Sequence, residues 1–222
     1  MSKWIDLSGP LYNGVWSYNV LYDVDPPLPE FEVKKVTSLA STGWESLRYV
    51  LSSLSGTYLE SGAHLIEGGQ TLDDFTLSDF IRPAVVCHLP RKQARELVRR
   101  AELEAHCPPV QPGDALLIEC GWSAHWRSAD FVLQGPGYHP ECVPWLLEQP
   151  FSLLGVDIPC IQSPWLPSES NMLLPIFQKG VLLLAPLVNL EQVQAPRGEL
   201  IALPLRVEGV SGAPCRAIFR EG

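Results

Sequence analysis

The residues best suited to chemistry are concentrated in one stretch, 58–70, which reads YLESGAHLIEGGQ. It holds two carboxylates, one imidazole, one carboxamide and three glycines. Glycine lets the backbone turn sharply and lets a ligand approach it closely. Polar groups in a loop that a rigid scaffold supports commonly carry function. We interpret the stretch as a candidate site; the alternative is a tight connection whose Glu and His side chains are solvated.

Within this stretch, His64 and Glu60 are the candidate catalytic residues. An imidazole takes or gives a proton near neutral pH. Glu60 is near enough in sequence to hold the second ring nitrogen, or to be the acid–base partner. Glu67 and Gln70 are candidate substrate-binding residues, although solvation explains them equally well. For His64 the alternative is a structural histidine, satisfied by a backbone carbonyl.

Aromatic side chains elsewhere in the chain are candidates to line an apolar pocket. Trp16, Tyr18 and Trp165 lie in turn-rich or proline-rich segments, and we expect them to contact a substrate. Trp122, which follows a predicted buried strand, is a further substrate-binding candidate. Trp44 is expected in the core instead.

Composition excludes several classes of protein. The 222 residues fit one domain, and 46% hydrophobic with 18% charged residues is typical of a chain with a large core. The net charge of -9, without a basic run, argues against a nucleic-acid partner. No apolar run is long enough to span a membrane, and the N-terminus lacks the apolar segment of a signal peptide. We therefore expect a soluble, cytoplasmic protein.

The six cysteines are scattered and show no CxxC spacing, which argues against a zinc site. In a cytoplasmic chain this pattern predicts reduced thiols that serve mainly as small core residues. Cys120 ends a predicted strand near the expected pocket. We interpret it as a packing residue rather than a nucleophile.

The pattern of apolar residues predicts a sheet with few helices. Strands are predicted at 4–8, 31–39, 44–54, 84–89, 115–120, 152–157, 181–184, 200–207 and 214–219. The clearest helix is predicted at 91–105, with a short helical turn at 71–80 and further helices at 142–148 and 171–178, the last interrupted by Pro175. A proline-broken loop is predicted at 158–170. Strands separated by a few helices indicate a single mixed α/β domain over 1–222.

Six short motifs occur in an order that resembles one family. The most specific is GDALLIECGW at 113–122, which resembles the pattern GDxvLirTGW; the others are WIDLS (4–8), RPAVV (82–86), LGVD (154–157), LVNL (187–190) and GAPCRA (212–217). Together they resemble the cyclase family, which includes bacterial kynurenine formamidases and isatin hydrolases. The resemblance implies a swivelling β/β/α fold and assembly as a homodimer or homotetramer.

The resemblance also implies a divalent metal bound by the motif HxGTHxDxPxH, and here the chain departs from its relatives. When Gly62 is placed on the motif glycine, Glu60 replaces the first His and His64 retains the second. Ile66 replaces the Asp, and Gln70 replaces the final His.

Two later metal ligands of the family are also replaced. Asn171 stands near the later His, and Ala185 stands at the later Glu. Asn171 can donate a hydrogen bond to a substrate carbonyl or serve as a structural amide. A catalytic metal needs about three protein ligands. One imidazole and one carboxylate fall short, so the sequence predicts no metal site and no cofactor.

The resemblance and its departures together suggest a metal-independent enzyme of the cyclase family. It would act on a small, apolar carbonyl compound by cyclisation, dehydration or ring opening, with natural-product biosynthesis as a possible setting. One alternative is metal-dependent hydrolysis of an amide, formamide or lactone. The other is a non-catalytic binding or scaffold protein that has kept the fold.

Overall fold

A mixed β-sheet dominates the structure, a computed structural model that describes residues 2–166 and 171–222. The described strands, in chain order, are β1 (Lys3–Asp6), β2 (Glu32–Thr37), β3 (Ser46–Val50), β4 (Tyr58–Glu60), β5 (Ile81–His88), β6 (Leu97–Val98), β7 (Ala115–Glu119), β8 (Gly137–Tyr138), β9 (Leu153–Val156), β10 (Leu182–Ala185), β11 (Arg197–Pro204) and β12 (Gly212–Glu221). Eight strands pair in the order β1-β12-β11-β5-β7-β9-β10-β4, and β4 also pairs with β12. All of these strands except β1 therefore close into a barrel.

The barrel combines parallel and antiparallel pairing. Strands β5, β7, β9 and β10 run parallel to one another, whereas β4, β11 and β12 complete the ring with antiparallel pairs. The described helices are α1 (Leu39–Thr42), α2 (Arg100–His106), α3 (Cys142–Glu148) and α4 (Leu173–Gln178). The last three lie in the connections between parallel strands, as crossovers require. The prediction of a mixed α/β fold with few helices is confirmed.

Alternation along the strands divides the apolar residues into an inner and an outer core. In β5, Val86 packs in the inner cluster and Val85 in the outer one. Successive side chains of a strand point to opposite faces, so β4 alternates in the same way. Leu59 is buried inside the barrel, while Tyr58 and Glu60 point to the outer face.

A hairpin made of β2 and β3 projects from this barrel. Its strands pair with each other and with no other described strand. Phe31 is buried at its base, but much of the hairpin is solvent-exposed. Trp44, expected in the core, is 56% exposed at the hairpin. That expectation was wrong, because an apolar alternation does not reveal whether a hairpin packs against the rest of its own chain.

The helix predicted at 91–105 is largely wrong. Residues 91–99 are irregular apart from β6, and α2 begins only at Arg100. Lys92 is buried, and its ammonium group donates to both Glu96 and Glu102. Arg95 has a φ of 61°, which lies outside the helical region. The apolar spacing that favoured a helix has another cause: Val98 pairs with β8 as part of β6 and is buried in the core.

Pro175 does not interrupt α4, contrary to the prediction. The helix starts at Leu173, so Pro175 lies in its first turn, where the backbone N–H has no helical partner to lose. The helix predicted at 142–148 coincides with α3. The predicted loop at 158–170 is described only as far as residue 166, and its remainder lies outside the described residues.

The expectation that all cysteines are reduced is wrong at one pair. Cys87 of β5 and Cys107, which follows α2, form a disulfide. The spacing of the cysteines does not indicate this pairing, because the two residues meet only when α2 packs beside β5. Cys120, Cys142, Cys160 and Cys215 are free thiols. No helix among the described residues is long and apolar enough to cross a membrane.

Candidate active site

A cavity of about 630 Å³ lies on the outer face of the barrel, where β4 pairs with β10. Two loops cover it, and the start of α4 closes one side. The lining is mostly apolar and aromatic, with a few polar groups: Tyr18, Leu21, Tyr22, Val24, Leu28, Leu54, Tyr58, Glu60, His64, Leu65, Pro159, Cys160, Ile161, Gln162, Ser163, Pro164, Leu166, Asn171, Leu173 and Leu183. Pockets of this composition and size are typical of small-molecule sites.

Strand β4 presents two polar side chains to this cavity. Tyr58 and Glu60 are two residues apart, so they share a face of the strand. Leu183 of β10 lies directly opposite Glu60 in the sheet and contributes apolar surface to the wall of the cavity. Tyr58 was missed by the sequence analysis, although the period of two from Glu60 would have placed it once 58–60 was recognised as a strand.

The glycine-containing loop after β4 positions His64. Gly62–His64 form one helical turn directly after the strand. The Ser61 hydroxyl fastens the loop by donating to the carbonyl oxygen of Gln70 at 2.7 Å. Gly68 has a φ of 69°, and a Cβ on Gly69 would lie 2.9 Å from backbone atoms, so both positions favour glycine. The sharp reversal keeps His64 at the cavity, beside β4.

Glu60 and His64, the two predicted catalytic residues, are brought together. Oε1 of Glu60 lies 3.1 Å from Nδ1 of His64. The approach does not have hydrogen-bond geometry, so Oε1 is a buried carboxyl oxygen without a hydrogen-bond partner among the described residues. Burial raises the pKa of Glu60 to about 8 and lowers the pKa of His64. Near neutral pH the pair is therefore a carboxylic acid beside a neutral imidazole.

Two buried tyrosines form a hydrogen-bonded chain beside this pair. The Tyr18 hydroxyl donates to the carbonyl oxygen of Pro159 at 2.8 Å. Since Tyr18 has only one hydroxyl proton, Tyr58 is the donor in their contact of 3.1 Å. Burial raises the pKa of both Tyr18 and Tyr58, so both phenols remain neutral. Tyr18, a predicted substrate-binding residue, thus lines the cavity.

Asn171 also lies at the cavity, but its side-chain oxygen is engaged in the fold. Oδ1 accepts the backbone N–H groups of Leu173 and Leu174 at 3.2 and 3.0 Å, which caps the first turn of α4. Gln162 similarly accepts the N–H of Met172 at 3.1 Å. The geometry matches the interpretation of Asn171 as a structural amide.

Two predicted substrate-binding tryptophans lie in the outer core rather than on the cavity. The ring of Trp16 stacks on Phe131 at 4.9 Å between centroids and meets Trp126 edge-on at 5.0 Å. Trp122 donates its Nε1–H to the carbonyl oxygen of Phe131 at 3.0 Å, and its ring packs 4.3 Å from that of His125. Large aromatic rings are more readily buried in a core than left to line a solvent-accessible wall.

Three further predicted substrate-binding residues point elsewhere. Trp165 is 45% exposed, and the guanidinium carbon of Arg95 lies 3.7 Å from its ring centre. Glu67 and Gln70 are exposed at the far side of the glycine-containing loop, and neither lines the cavity. Both side chains are therefore solvated, which was the alternative interpretation, because the loop reverses direction between His64 and these two residues.

Cys120 is held by a buried carboxylate away from the cavity. Its thiol donates to Oδ1 of Asp157 at 3.3 Å, and the Asp157 carboxylate also accepts the backbone N–H groups of Cys120 and Trp122. Burial raises the pKa of the Cys120 thiol well above its usual value and that of Asp157 to about 6. The thiol is therefore unsuited to nucleophilic attack, in agreement with the packing interpretation.

The described residues do not fit the metal site that the family resemblance implies. Among them, no group of three or more His, Cys, Asp or Glu side chains could hold a metal ion. At the position of the lost Asp ligand, Ile66 is an apolar side chain packed against the outer core. The donor set at the cavity, Glu60 and His64, can exchange protons and donate hydrogen bonds.

The structure is that of a mixed α/β protein: a closed barrel with a lined outer cavity that holds a Glu–His pair. The model of the Cyclase family, described as "Putative cyclase", matches residues 5–163. The chain therefore belongs to the Cyclase family. It is also 26% identical to a kynurenine formamidase from Bacillus cereus over 221 residues, which covers 99% of this chain and 98% of the relative.

Solved structures show the same fold. Isatin hydrolase A from Ralstonia solanacearum superposes with a TM-score of 0.84 at 22% identity, covering 100% of this chain and 92% of the other. Isatin hydrolase A from Labrenzia aggregata, bound to benzyl benzoate, superposes with a TM-score of 0.82 at 19% identity, covering 99% and 93%. At these identities the likeness describes the fold, and the chemistry has to be argued from the cavity.

Proposed function

We propose that this protein is an enzyme that transforms a small, apolar carbonyl compound by acid–base catalysis with Glu60 and His64, without a resident metal. The observation that supports it most directly is the pair itself: a buried carboxyl oxygen lacking a hydrogen-bond partner among the described residues, 3.1 Å from an imidazole nitrogen. Two groups whose environments shift their pKa values in opposite directions are typical of acid–base sites.

The pair supplies complementary proton transfers. Near neutral pH the imidazole of His64 is the base, and it takes a proton from the carbon next to the substrate carbonyl. The carboxylic acid of Glu60 gives its proton to the carbonyl oxygen, so that an enol forms without a net change in charge of enzyme plus substrate. The enol carbon can then attack a second carbonyl of the same molecule and close a ring: the enol proton returns to the Glu60 carboxylate, and the His64 imidazolium protonates the new alkoxide. Loss of water from the resulting hydroxyketone completes a dehydration. The apolar walls exclude competing water.

A test of this function combines turnover with the pH profile. The protein is screened against aromatic and aliphatic dicarbonyl compounds, and kcat/KM is measured for any substrate found. Activity should fall above about pH 8, as Glu60 loses its proton, and below the lowered pKa of His64. Glu60→Gln and His64→Ala should each lower kcat by about 100-fold or more.

The chain offers a matched control for these variants. His139 and Glu141 form another His–Glu pair, with Nδ1 and Oε2 3.2 Å apart, and neither residue lines the cavity. His139→Asn should leave kcat unchanged. Equal losses from His139→Asn and His64→Ala would contradict a catalytic function of the cavity pair.

Metal-dependent hydrolysis of an amide, formamide or lactone is the second candidate. It is favoured by the full-length similarity to curated kynurenine formamidases. Elemental analysis of the purified protein, before and after incubation with zinc and manganese, separates the two. About one metal ion per chain that survives dialysis, together with formamidase activity lost on chelation, would replace the acid–base proposal. Ligand binding without turnover of any substrate would support a non-catalytic protein instead.

We also propose that the protein assembles as a homodimer or homotetramer. The projecting hairpin supports this, because large apolar side chains on and beside it are exposed: Val36, Leu39, Trp44, Leu47 and Tyr49. Contiguous exposed apolar surface commonly marks an interaction site. A second copy of the chain is the partner that the family resemblance favours.

A further inference from the structure

The charged and polar groups of the cavity wall indicate which class of ligand the cavity can bind. We propose that the cavity selects an uncharged ligand, whose hydrogen-bond-accepting oxygen is bound by the carboxyl group of Glu60, and that it excludes carboxylates and ammonium groups. This deepens the proposed function and rests on it for the identity of the site, but it concerns binding and is tested without turnover.

The first observation is the absence of a cation. No Lys or Arg is among the described residues that line the cavity. A carboxylate or phosphate on a ligand would be desolvated there without a counter-ion, which is strongly unfavourable. The wall donors that remain are hydroxyl, carboxyl, imidazole, amide and thiol groups, which suit neutral acceptors.

The second observation is the buried carboxyl group of Glu60. The residue is 2% exposed, and its Oε1 has no hydrogen-bond partner among the described residues. A buried carboxyl oxygen without a partner favours the neutral acid over the carboxylate, and because Glu60 lines the cavity its carboxyl group can donate a hydrogen bond to a ligand oxygen. The titratable groups that face Glu60 are His64, Tyr58, Tyr18, Tyr22 and Cys160, and none of them is cationic when His64 is neutral.

Ammonium groups are disfavoured for a related reason. A cation would need an ionised carboxylate as its partner, and burial favours the protonated form of Glu60. The remaining wall is apolar, with Leu21, Leu28, Leu54 and Leu183 contributing aliphatic surface. The ligand class that fits is a neutral aromatic or alicyclic ketone or ester, rather than an amino acid or a free acid.

Matched pairs of ligands test this directly. Acetophenone, 2-acetonaphthone and 4-acetylbiphenyl each have nearly the shape of their carboxylate, because a methyl group replaces one oxygen. Binding at pH 7 is measured by calorimetry and saturation-transfer NMR. The ketones should bind at least about 100-fold more tightly than benzoate, 2-naphthoate and biphenyl-4-carboxylate. If no ketone in the panel binds more tightly than its carboxylate, the inference is overturned.

A variant with gained charge sharpens the test. Val24 lines the cavity and is 45% exposed, so Val24→Lys adds an ammonium group at the wall with little risk to folding. It should raise the affinity for 2-naphthoate by about tenfold. Val20 is 50% exposed and does not line the cavity, so Val20→Lys is the matched control and should leave the affinity unchanged. Equal gains from both variants would contradict the inference.

Two further variants separate this inference from the proposed function. His64→Ala should abolish turnover if the proposed chemistry is correct, yet keep the preference for ketones. Glu60→Gln retains a hydrogen-bond donor and should keep ketone binding within about threefold, whereas Glu60→Leu should weaken it by about tenfold or more. Ketone binding unaffected by Glu60→Leu would show that Glu60 does not bind the carbonyl oxygen.

Discussion

At the scale of single residues, the buried position of Glu60 disfavours ionisation of its carboxyl group. Burial raises its pKa from 4.5 to about 8. Between these values the unfolded chain is ionised and the folded protein keeps the proton, so stability falls as the pH rises through this window. The loss amounts to about 5 kcal/mol in the free energy of unfolding. Such a cost is common for groups retained for function.

Replacing Glu60 should remove this dependence. We expect Glu60→Gln to be more stable than the parent at pH 8, and the difference should shrink by several kcal/mol as the pH is lowered to 4.5. Urea unfolding at both pH values measures it. Glu67→Gln, at an exposed position in the same loop, is the control and should track the parent. A stability difference that does not change with pH would show that Glu60 is already ionised in the folded protein.

The tyrosine pair should respond unequally to loss of its hydroxyl groups. Tyr18→Phe removes the donor to the buried carbonyl oxygen of Pro159 and should lower the free energy of unfolding by about 2 kcal/mol. Tyr58→Phe removes one hydrogen bond but leaves Tyr18 bonded to Pro159, so about 1 kcal/mol is expected. Denaturant titrations give both values. The reverse order would mean that Tyr18, not Tyr58, donates between the two hydroxyls.

At the scale of secondary-structure elements, the disulfide fastens α2 to the barrel. It joins Cys87 and Cys107, which are 20 residues apart. Closing a loop of this length restricts the unfolded chain and stabilises the folded one by about 3 kcal/mol. Reduction with dithiothreitol should therefore lower the free energy of unfolding by that amount. Cys107→Ala should show no response to the reductant; an equal response in both proteins would contradict the prediction.

Short strand β4 shows how one element organises the cavity. Its three residues pair with both β10 and β12, which closes the barrel, and its outward side chains are Tyr58 and Glu60. Gly212 pairs with Glu60, and an added Cβ there would lie 3.1 Å from the carbonyl oxygen of Leu59. Barrel closure and the position of Glu60 at the cavity therefore depend on the same few residues.

At the scale of the whole molecule, the projecting hairpin makes assembly testable. If it forms the interface between copies, Tyr49→Asp should shift the mass measured by light scattering from an oligomer to the monomer, because it places a charge in a buried contact. Tyr49 is 58% exposed in the single chain, so folding should be unaffected. Val207→Asp, at another exposed apolar position, should leave the oligomer intact. If the parent protein is itself a monomer, the proposal of assembly through the hairpin is wrong.

Much of the fold was predictable from local pattern. Buried strands such as β7 and β9 are short apolar runs bounded by turn residues, and α3 follows a helical period, so each was found near its true limits. The segment 91–99 was not, because its apolar residues have a helical spacing while a buried Lys92 and its carboxylate partners hold it in another conformation. Local preference yields to tertiary contacts of this kind.

By itself the sequence determined the class of fold and indicated Glu60 and His64 as the candidate pair, because glycines, titratable groups and strand alternation can be recognised from neighbouring residues alone. The tertiary structure alone decided which aromatic rings reach the cavity. Trp16 and Trp122 are buried in the outer core, while Tyr18 and Tyr58 line the cavity. It also decided the pairing of Cys87 with Cys107. These outcomes depend on contacts between residues far apart in the chain, and on burial, which sets the protonation of Glu60.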